Sequence, residues 1–228
     1  MRNLLLLFLL FPVIISAQKA NIYLDQNGKE INYKEYRELQ NTYSSWRTNR
    51  NDKSISKINK ANKVETFSGN YTAIKEVIEE ITGKSYPENT IFLIEYTVKN
   101  DYCHGIKDPN YWSKKETAHW KEFVQPKIKW FESKYENTVV LYLFENSITF
   151  QETDGKRKIF YSDSKNIFKK TLFQIRAYCG HHAIINPDNN ILVYNGESGP
   201  EFMAEYLKQK NWKLFFPHTS EKIITDSQ

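Results

Sequence analysis

Two apolar runs rich in β-branched residues constrain the fold of this chain more than any other feature. Residues 90–98 (TIFLIEYTV) and 138–144 (TVVLYLF) contain only one charged side chain between them. Such runs are typical of central strands that are covered on both faces of a sheet. A long helix is predicted between them, because Ser113 and Glu116 form a capping-box pattern. The sequence therefore predicts a strand, a helix and a second buried strand in that order.

Segments on either side extend this pattern to a mixed sheet. Residues 183–186 (AIIN) and 191–194 (ILVY) flank a Pro-Asp-Asn-Asn turn and are predicted to form a hairpin. A final helix is predicted from Pro200. Upstream, residues 70–83 have the apolar periodicity and the capping residues of a helix. Alternating strands and helices predict the α/β class, with a central mixed sheet and helices on both of its faces.

Three further segments carry weaker signals. A short strand is predicted at residues 21–25, followed by a helix that begins after Asn32. Residues 42–67 are polar and show little periodicity, which predicts an irregular linking stretch. Residues 147–151 and 158–161 flank Asp-Gly, a dipeptide typical of hairpin turns, and are predicted to pair with each other.

The first residues have the composition of a secretory signal peptide. Arg2 precedes an apolar run at residues 4–15, and Ser16 and Ala17 supply the small residues of a cleavage site. The run is too short to span a membrane, which needs about 20 residues. We therefore predict a signal peptide at residues 1–17 and a periplasmic or secreted mature chain without a membrane span.

Composition excludes several functional classes and leaves few candidates for chemistry. The formal net charge is +5, but the charges are interspersed, so no basic stripe for nucleic acid is indicated. No Gly-rich phosphate loop or Ser-His-Asp arrangement is found, and no cofactor is predicted. Glu95 must face the core or the sheet end, where a lysine partner explains it as readily as catalysis. Cys103 and Cys179, the only cysteines, are the remaining candidates.

The order of elements resembles the thioredoxin-like superfamily. Residues 124–144, in which Pro126 interrupts a helix before a buried strand, resemble the kinked first helix and the next strand of thioredoxins. Residues 183–207 resemble their closing hairpin and helix. The resemblance covers roughly residues 88–212 and implies a three-layer α/β/α fold with a central mixed sheet and an N-terminal α+β extension. Together with the signal peptide predicted at residues 1–17, it divides the chain into an N-terminal extension (18–69) and a thioredoxin-like domain (70–228).

Both hallmarks of dithiol chemistry in that family are missing. Counting back from Pro126 places residues 118–121 (AHWK) where a Cys-x-x-Cys pair would stand, and residues 180–182 (GHH) replace the cis-proline motif. Dithiol chemistry needs a thiolate activated at a helix N-terminus and a neighbouring resolving thiol. We therefore predict a non-catalytic structural module, or one that binds an unidentified protein partner, rather than an enzyme.

The resemblance nevertheless brings the two cysteines together at one end of the sheet. Cys103 and Cys179 are therefore predicted to form a disulfide, as cysteines in exported chains most often do. Two alternatives remain open. One is a thiol–disulfide oxidoreductase that uses this pair. The other is a zinc or copper protein with Cys103, His104, Cys179 and His181 as ligands, although His181 and His182 would point to opposite faces of a strand.

Overall fold

The computed structural model describes residues 20–50, 53–153, 158–177 and 179–217. The predicted signal peptide and the predicted Asp-Gly turn lie outside the described residues. Within these ranges, the chain forms a four-stranded sheet, a six-stranded sheet and a two-stranded sheet, together with α-helices. The protein is therefore of the mixed α/β class, as the sequence predicts.

The N-terminal elements form the four-stranded sheet and one helix. In chain order they are β1 (Ala20–Leu24), β2 (Glu30–Ile31), α1 (Tyr33–Thr42), β3 (Tyr43–Arg50) and β4 (Lys53–Asn62). The strand order is β2-β1-β4-β3, and β1 runs parallel to β4. Helix α1 begins where the side chain of Asn32 accepts a hydrogen bond from the backbone N–H of Glu35. The strand and the helix predicted here are thus confirmed.

The six-stranded sheet contains both of the predicted buried strands. The remaining elements are β5 (Val64–Ser68), α2 (Tyr71–Thr82), β6 (Ile91–Thr97), β7 (Tyr111–Trp112), α3 (Lys114–Lys134), β8 (Thr138–Glu145), β9 (Thr149–Phe150), β10 (Phe160–Asp163), α4 (Ile167–Thr171), β11 (His181–Ile185), β12 (Asn190–Asn195), α5 (Pro200–Leu207) and α6 (Gln209–Phe215). The strand order is β10-β8-β6-β11-β12-β5. Strands β10, β8 and β6 are mutually parallel, whereas β11, β12 and β5 are each antiparallel to the strand before them in that order.

Strand β6 separates two apolar cores. Successive side chains of a strand point to opposite faces of its sheet. Accordingly, Leu93 belongs to a cluster with Ile128 and other residues of α3, α5 and α6. Phe92 belongs to a second cluster with Ile78 of α2 and Phe168 of α4. Helices therefore cover both faces of the six-stranded sheet.

Strands β3, β4 and β5 cover nearly all of the described residues between 43 and 68, so the prediction of an irregular stretch at residues 42–67 is wrong. The side chains that β4 turns inward include Ser54, Ser56 and Ile58, all of which are buried. Buried serines add no apolar signal, so the period-two pattern by which strands are recognised is absent from the sequence. Strand β5 pairs with β12 at the edge of the large sheet.

The predicted hairpin between residues 147–151 and 158–161 is also wrong. Strand β9 pairs in parallel with β7, whereas β10 pairs in parallel with β8. The phenyl rings of Phe150 and Phe144 lie 5.0 Å apart between centroids. This contact holds β9 against the core side chains of β8. In that position the strand next to β9 is β7.

Helix α4 is short and covers only Ile167–Thr171. The helix predicted from Pro200 is confirmed as α5. Helix α6 follows α5 as a separate helix, because Lys208 between them adopts an extended backbone with ψ of 128°. None of the described helices is both long and apolar enough to cross a membrane.

Candidate functional site

The disulfide predicted between Cys103 and Cys179 is present. The two Cα atoms lie 5.0 Å apart, and 76 positions separate the residues in sequence. Cys103 belongs to a 3₁₀ turn that follows β6, and Cys179 lies two residues before the start of β11. Because β6 and β11 are antiparallel neighbours, the end of one strand and the start of the other meet at the same end of the sheet. Strand topology therefore brings the cysteines together.

Hydrogen bonds hold the turn that carries Cys103. The carboxylate of Asp101 accepts the backbone N–H of Cys103 at 3.1 Å. Nearby, the backbone N–H of Asn100 donates to the side chain of Asn110 at 2.7 Å, and the side-chain amide of Asn110 donates back to that of Asn100 at 2.6 Å. These two bonds close the base of the loop between β6 and β7. The exposed Cys103 therefore lies on a loop with an ordered base.

The other cysteine lies in a left-handed turn. Cys179 and Gly180 have φ angles of 66° and 95°. Glycine adopts positive φ freely, but for other residues this conformation costs about 1 kcal/mol. The backbone N–H of Gly196 donates to the carbonyl of Gly180 at 3.1 Å, which ties the turn to the end of β12. The half-buried Cys179 is thus held in place by both neighbouring strands.

The disulfide lines a cavity of about 360 Å³. Its wall includes Trp120 and Phe123 of α3 and Tyr142 of β8, and the same cavity is lined by Glu95 and His182. Phe123 is half exposed, so the aromatic wall continues onto the surface. The site therefore combines an accessible disulfide, an aromatic wall and buried ionisable groups.

Glu95 and His182 form a buried ion pair in this cavity. They are directly opposite one another across β6 and β11, and Nδ1 of His182 lies 2.6 Å from Oε2 of Glu95. Nε2 of His182 lies 2.9 Å from the carbonyl oxygen of Gly196. Nε2 thus makes a hydrogen-bond contact, whereas Nδ1 lies at ion-pair distance from the carboxylate without the geometry of a hydrogen bond. Oxygen atoms beside both ring nitrogens suit a doubly protonated imidazolium.

The surroundings of His182 act on its pKa in opposite directions. Burial lowers the pKa, but the charge and close contact of Glu95, together with the hydrogen bond to Gly196, outweigh burial and raise it above the ordinary value. Oε1 of Glu95 is buried and has no hydrogen-bond partner among the described residues. The cavity therefore holds a charged pair with one acceptor atom still available. The charged partner of Glu95 is thus a histidine, a pairing that sequence reasoning did not consider.

His181 points to the opposite face of β11, as the alternation of a strand predicts. Its Nε2 accepts the backbone N–H of Ala177 at 3.2 Å, and its Nδ1 lies 2.6 Å from Oδ1 of Asn195. The ring must therefore carry its proton on Nδ1, which donates to Asn195. Burial lowers the pKa of His181 to about 3. Both nitrogens are occupied within the protein.

His104 lies beside the disulfide in an aromatic cage. Its ring centroid is 5.2 Å from that of Trp112 and 4.9 Å from that of Trp120. Its Nδ1 is buried without a hydrogen-bond partner among the described residues. Burial lowers the pKa of His104, although the nearby charge of Asp101 acts in the opposite direction. His104 is therefore favoured in its neutral form.

The structure gathers a different set of possible metal ligands from the one the sequence suggests. The sulfurs of Cys103 and Cys179 are joined to each other, and the nitrogens of His181 are engaged elsewhere. Instead, a carboxylate oxygen of Asp101 and the two sulfurs lie within 4.8 Å of one another. Sequence reasoning missed Asp101, and its only local signal is its place two residues before a cysteine.

Comparison with known proteins adds no assignment to this geometry. No protein-family model matches the chain, and no curated protein or solved structure matches it at a significant level of similarity. Function must therefore be inferred from the site.

Proposed function

We propose that this chain is an exported thiol–disulfide oxidoreductase of thioredoxin-like fold, with Cys103 and Cys179 as its redox pair. The observation that carries the proposal is the position of the disulfide, which lines a cavity and exposes Cys103 to solvent. A disulfide that only stabilises the fold needs neither an adjoining cavity nor an exposed sulfur-bearing residue. This position favours the oxidoreductase over the non-catalytic module that the sequence favours.

The arrangement of strands supports the thioredoxin-like part of the proposal. The unit β6-α3-β8 places two parallel strands side by side, and β11-β12-α5 adds an antiparallel hairpin and a helix on the other side of β6. This order agrees with the thioredoxin-like pattern that the sequence resembles, with β5 and β10 as additional edge strands. The redox pair would then join the loop after the first strand to the segment before the closing hairpin.

Exposure assigns different roles to the two cysteines. In the reduced chain, the thiolate of the exposed Cys103 attacks a substrate disulfide, forms a mixed disulfide and releases one substrate thiolate, which takes up a proton. The thiolate of Cys179 then attacks the Cys103 sulfur and releases the second substrate thiol. Two electrons leave the protein, the substrate disulfide becomes a dithiol, and the protein disulfide forms. A dithiol reductant returns the protein to its starting state by the reverse exchange.

The cavity supplies binding surface and ionisable groups for this exchange. Trp120 and Phe123 offer aromatic faces on which an extended apolar substrate segment can pack. The pair of Glu95 and His182 lies in the same cavity and can hold or release a proton as thiolates form and disappear. The substrate class that suits this site is a disulfide-containing peptide.

Exchange activity is expected to depend on Cys103. In an insulin-reduction assay with dithiothreitol as the reductant, the Cys103→Ser variant should lose the activity of the wild-type chain. The matched variant Cys179→Ser, reduced, freed of dithiothreitol and then mixed with insulin, should accumulate a mixed disulfide at Cys103, because it lacks the resolving thiol. Trapping should be about ten-fold faster at the exposed Cys103 than at Cys179 in the reciprocal variant, because access controls exchange. Wild-type protein that reduces insulin no faster than Cys103→Ser would return the assignment to a non-catalytic module.

Export is part of the same proposal, because an oxidising compartment maintains disulfides. The expected mature protein begins at Gln18. Intact-mass measurement on protein recovered from the medium or periplasm of an exporting host tests this expectation. Exported protein that retains Met1 would contradict it.

A further inference from the structure

Reduction of the disulfide leaves three potential metal ligands at one place. A carboxylate oxygen of Asp101 and the sulfurs of Cys103 and Cys179 lie within 4.8 Å of one another. Two thiolates bound to one zinc ion at about 2.3 Å each lie roughly 3.8 Å apart in tetrahedral geometry. The Cα separation of 5.0 Å allows this spacing through rotation of the cysteine side chains alone.

Asp101 is already placed for coordination. Its side chain is 2% exposed, and one oxygen accepts the backbone N–H of Cys103. The other oxygen, Oδ2, is buried without a hydrogen-bond partner among the described residues. A buried carboxylate oxygen without a partner is costly, and a cation bound beside it would remove that cost.

We propose that the reduced chain binds one zinc ion through Asp101, Cys103 and Cys179, and that oxidation of the cysteines abolishes the site. Two thiolates and one carboxylate are ligand types that zinc takes in proteins, and a water molecule can complete four-coordination. A phosphine reductant that becomes its oxide, with water as the oxygen source, converts the disulfide to two thiols. Binding of Zn²⁺ to these thiols then releases two protons.

This site differs from the cysteine and histidine set suggested by the sequence. The ring nitrogens of His181 are engaged by Ala177 and Asn195, so this histidine would have to break two buried hydrogen bonds to bind a metal. Asp101 breaks none through Oδ2. The proposed site requires only chemical reduction and does not depend on the proposed oxidoreductase activity.

Zinc affinity should change with the redox state of the cysteines. Protein reduced with a phosphine, desalted under anaerobic conditions and titrated with Zn²⁺ against a chromophoric chelator should bind one equivalent. Its affinity should exceed that of the oxidised protein by about 100-fold or more, because thiolates are the principal ligands. Equal zinc binding by the oxidised and reduced forms would overturn the proposal.

Two variants test whether the carboxylate of Asp101 is itself a zinc ligand. Asp101→Asn keeps an acceptor for the N–H of Cys103 but removes the charge, and it should weaken zinc binding to the reduced form by about ten-fold or more. Asp108→Asn alters an exposed carboxylate of the same loop and should leave the affinity unchanged. Thermal melts of the oxidised variants establish that both are folded.

A second measurement does not require the variants to fold equally well. Zinc should slow the re-formation of the disulfide in the wild-type chain, as measured by the loss of titratable thiols in air.

Unaltered affinity in reduced Asp101→Asn, together with lost affinity in His181→Asn, would assign the metal to the cysteine and histidine set instead. Failure of the insulin assay would leave this zinc site unaffected.

Discussion

The double variant Cys103→Ala, Cys179→Ala is expected to unfold with a free energy about 4 kcal/mol lower than that of the oxidised wild type. The disulfide joins residues that are 76 positions apart, and in the chain-entropy description a loop of this size gives a loss of this order. Urea titration of the two proteins measures the difference. Both cysteines are replaced together so that no unpaired thiol remains to form intermolecular bonds.

Reduced wild-type protein is the matched control for this variant. It carries the same residues as the oxidised protein but lacks the bond, so its unfolding midpoint in urea should coincide with that of the double variant. The free energy contributed by the disulfide also determines whether the protein tends to donate or to accept electrons in thiol–disulfide exchange. A bond that stabilises the folded chain favours the oxidised protein, so the reduced form should act as an electron donor. An unchanged midpoint in the variant would refute a stabilising role for the disulfide.

Glu95→Gln is expected to lower the free energy of unfolding by about 3 kcal/mol near neutral pH, because it removes one partner of a buried ion pair. The side chains of His182 and Glu95 are only 4% and 8% exposed, so solvent cannot replace the lost partner. Glu197→Gln is the matched control. Glu197 lines the same cavity but is exposed, and its replacement should change stability by less than about 0.5 kcal/mol.

The free energy of unfolding should change with pH in opposite directions in the wild-type chain and in Glu95→Gln. The pKa of His182 is raised in the folded chain, so its contribution is fully present below the unfolded value of about 6.5. It is lost as the pH rises through the folded pKa, because the folded state then releases a proton that the unfolded state has already lost. In Glu95→Gln, burial should lower the pKa of His182, and stability should instead fall as the pH drops below about 6.5. Parallel pH profiles in both proteins would contradict the ion pair.

Sequence patterns reveal the parts of this fold that local composition determines. The runs at residues 91–97 and 138–145 are strands because nearly every side chain in them is buried apolar surface. Helix α3 begins where Ser113 and Glu116 form their reciprocal cap. Strand β4 escapes recognition because serines fill inward positions that usually carry apolar residues.

The candidate site depends on strand pairing and therefore could be predicted only in part. The cysteines can be brought together by topology once the order of strands is assumed. The pairing of Glu95 with His182 needs the register of β6 against β11, which no local pattern around either residue specifies. A lone carboxylate in an apolar strand shows that a partner is required, but not which one.

The pairing of β5 with β12 limits the order in which the strands of this chain can fold. The side-chain amide of Asn195 donates to the carboxylate of Glu65, 130 residues away in sequence. During synthesis β5 therefore appears early and keeps an unpaired edge until most of the chain has been made, a state in which strands are prone to pair with other chains. Contacts of such long range also slow folding. The six-stranded sheet therefore cannot be completed until residues 190–195 have been made, and a chaperone that covers β5 would protect its edge until then.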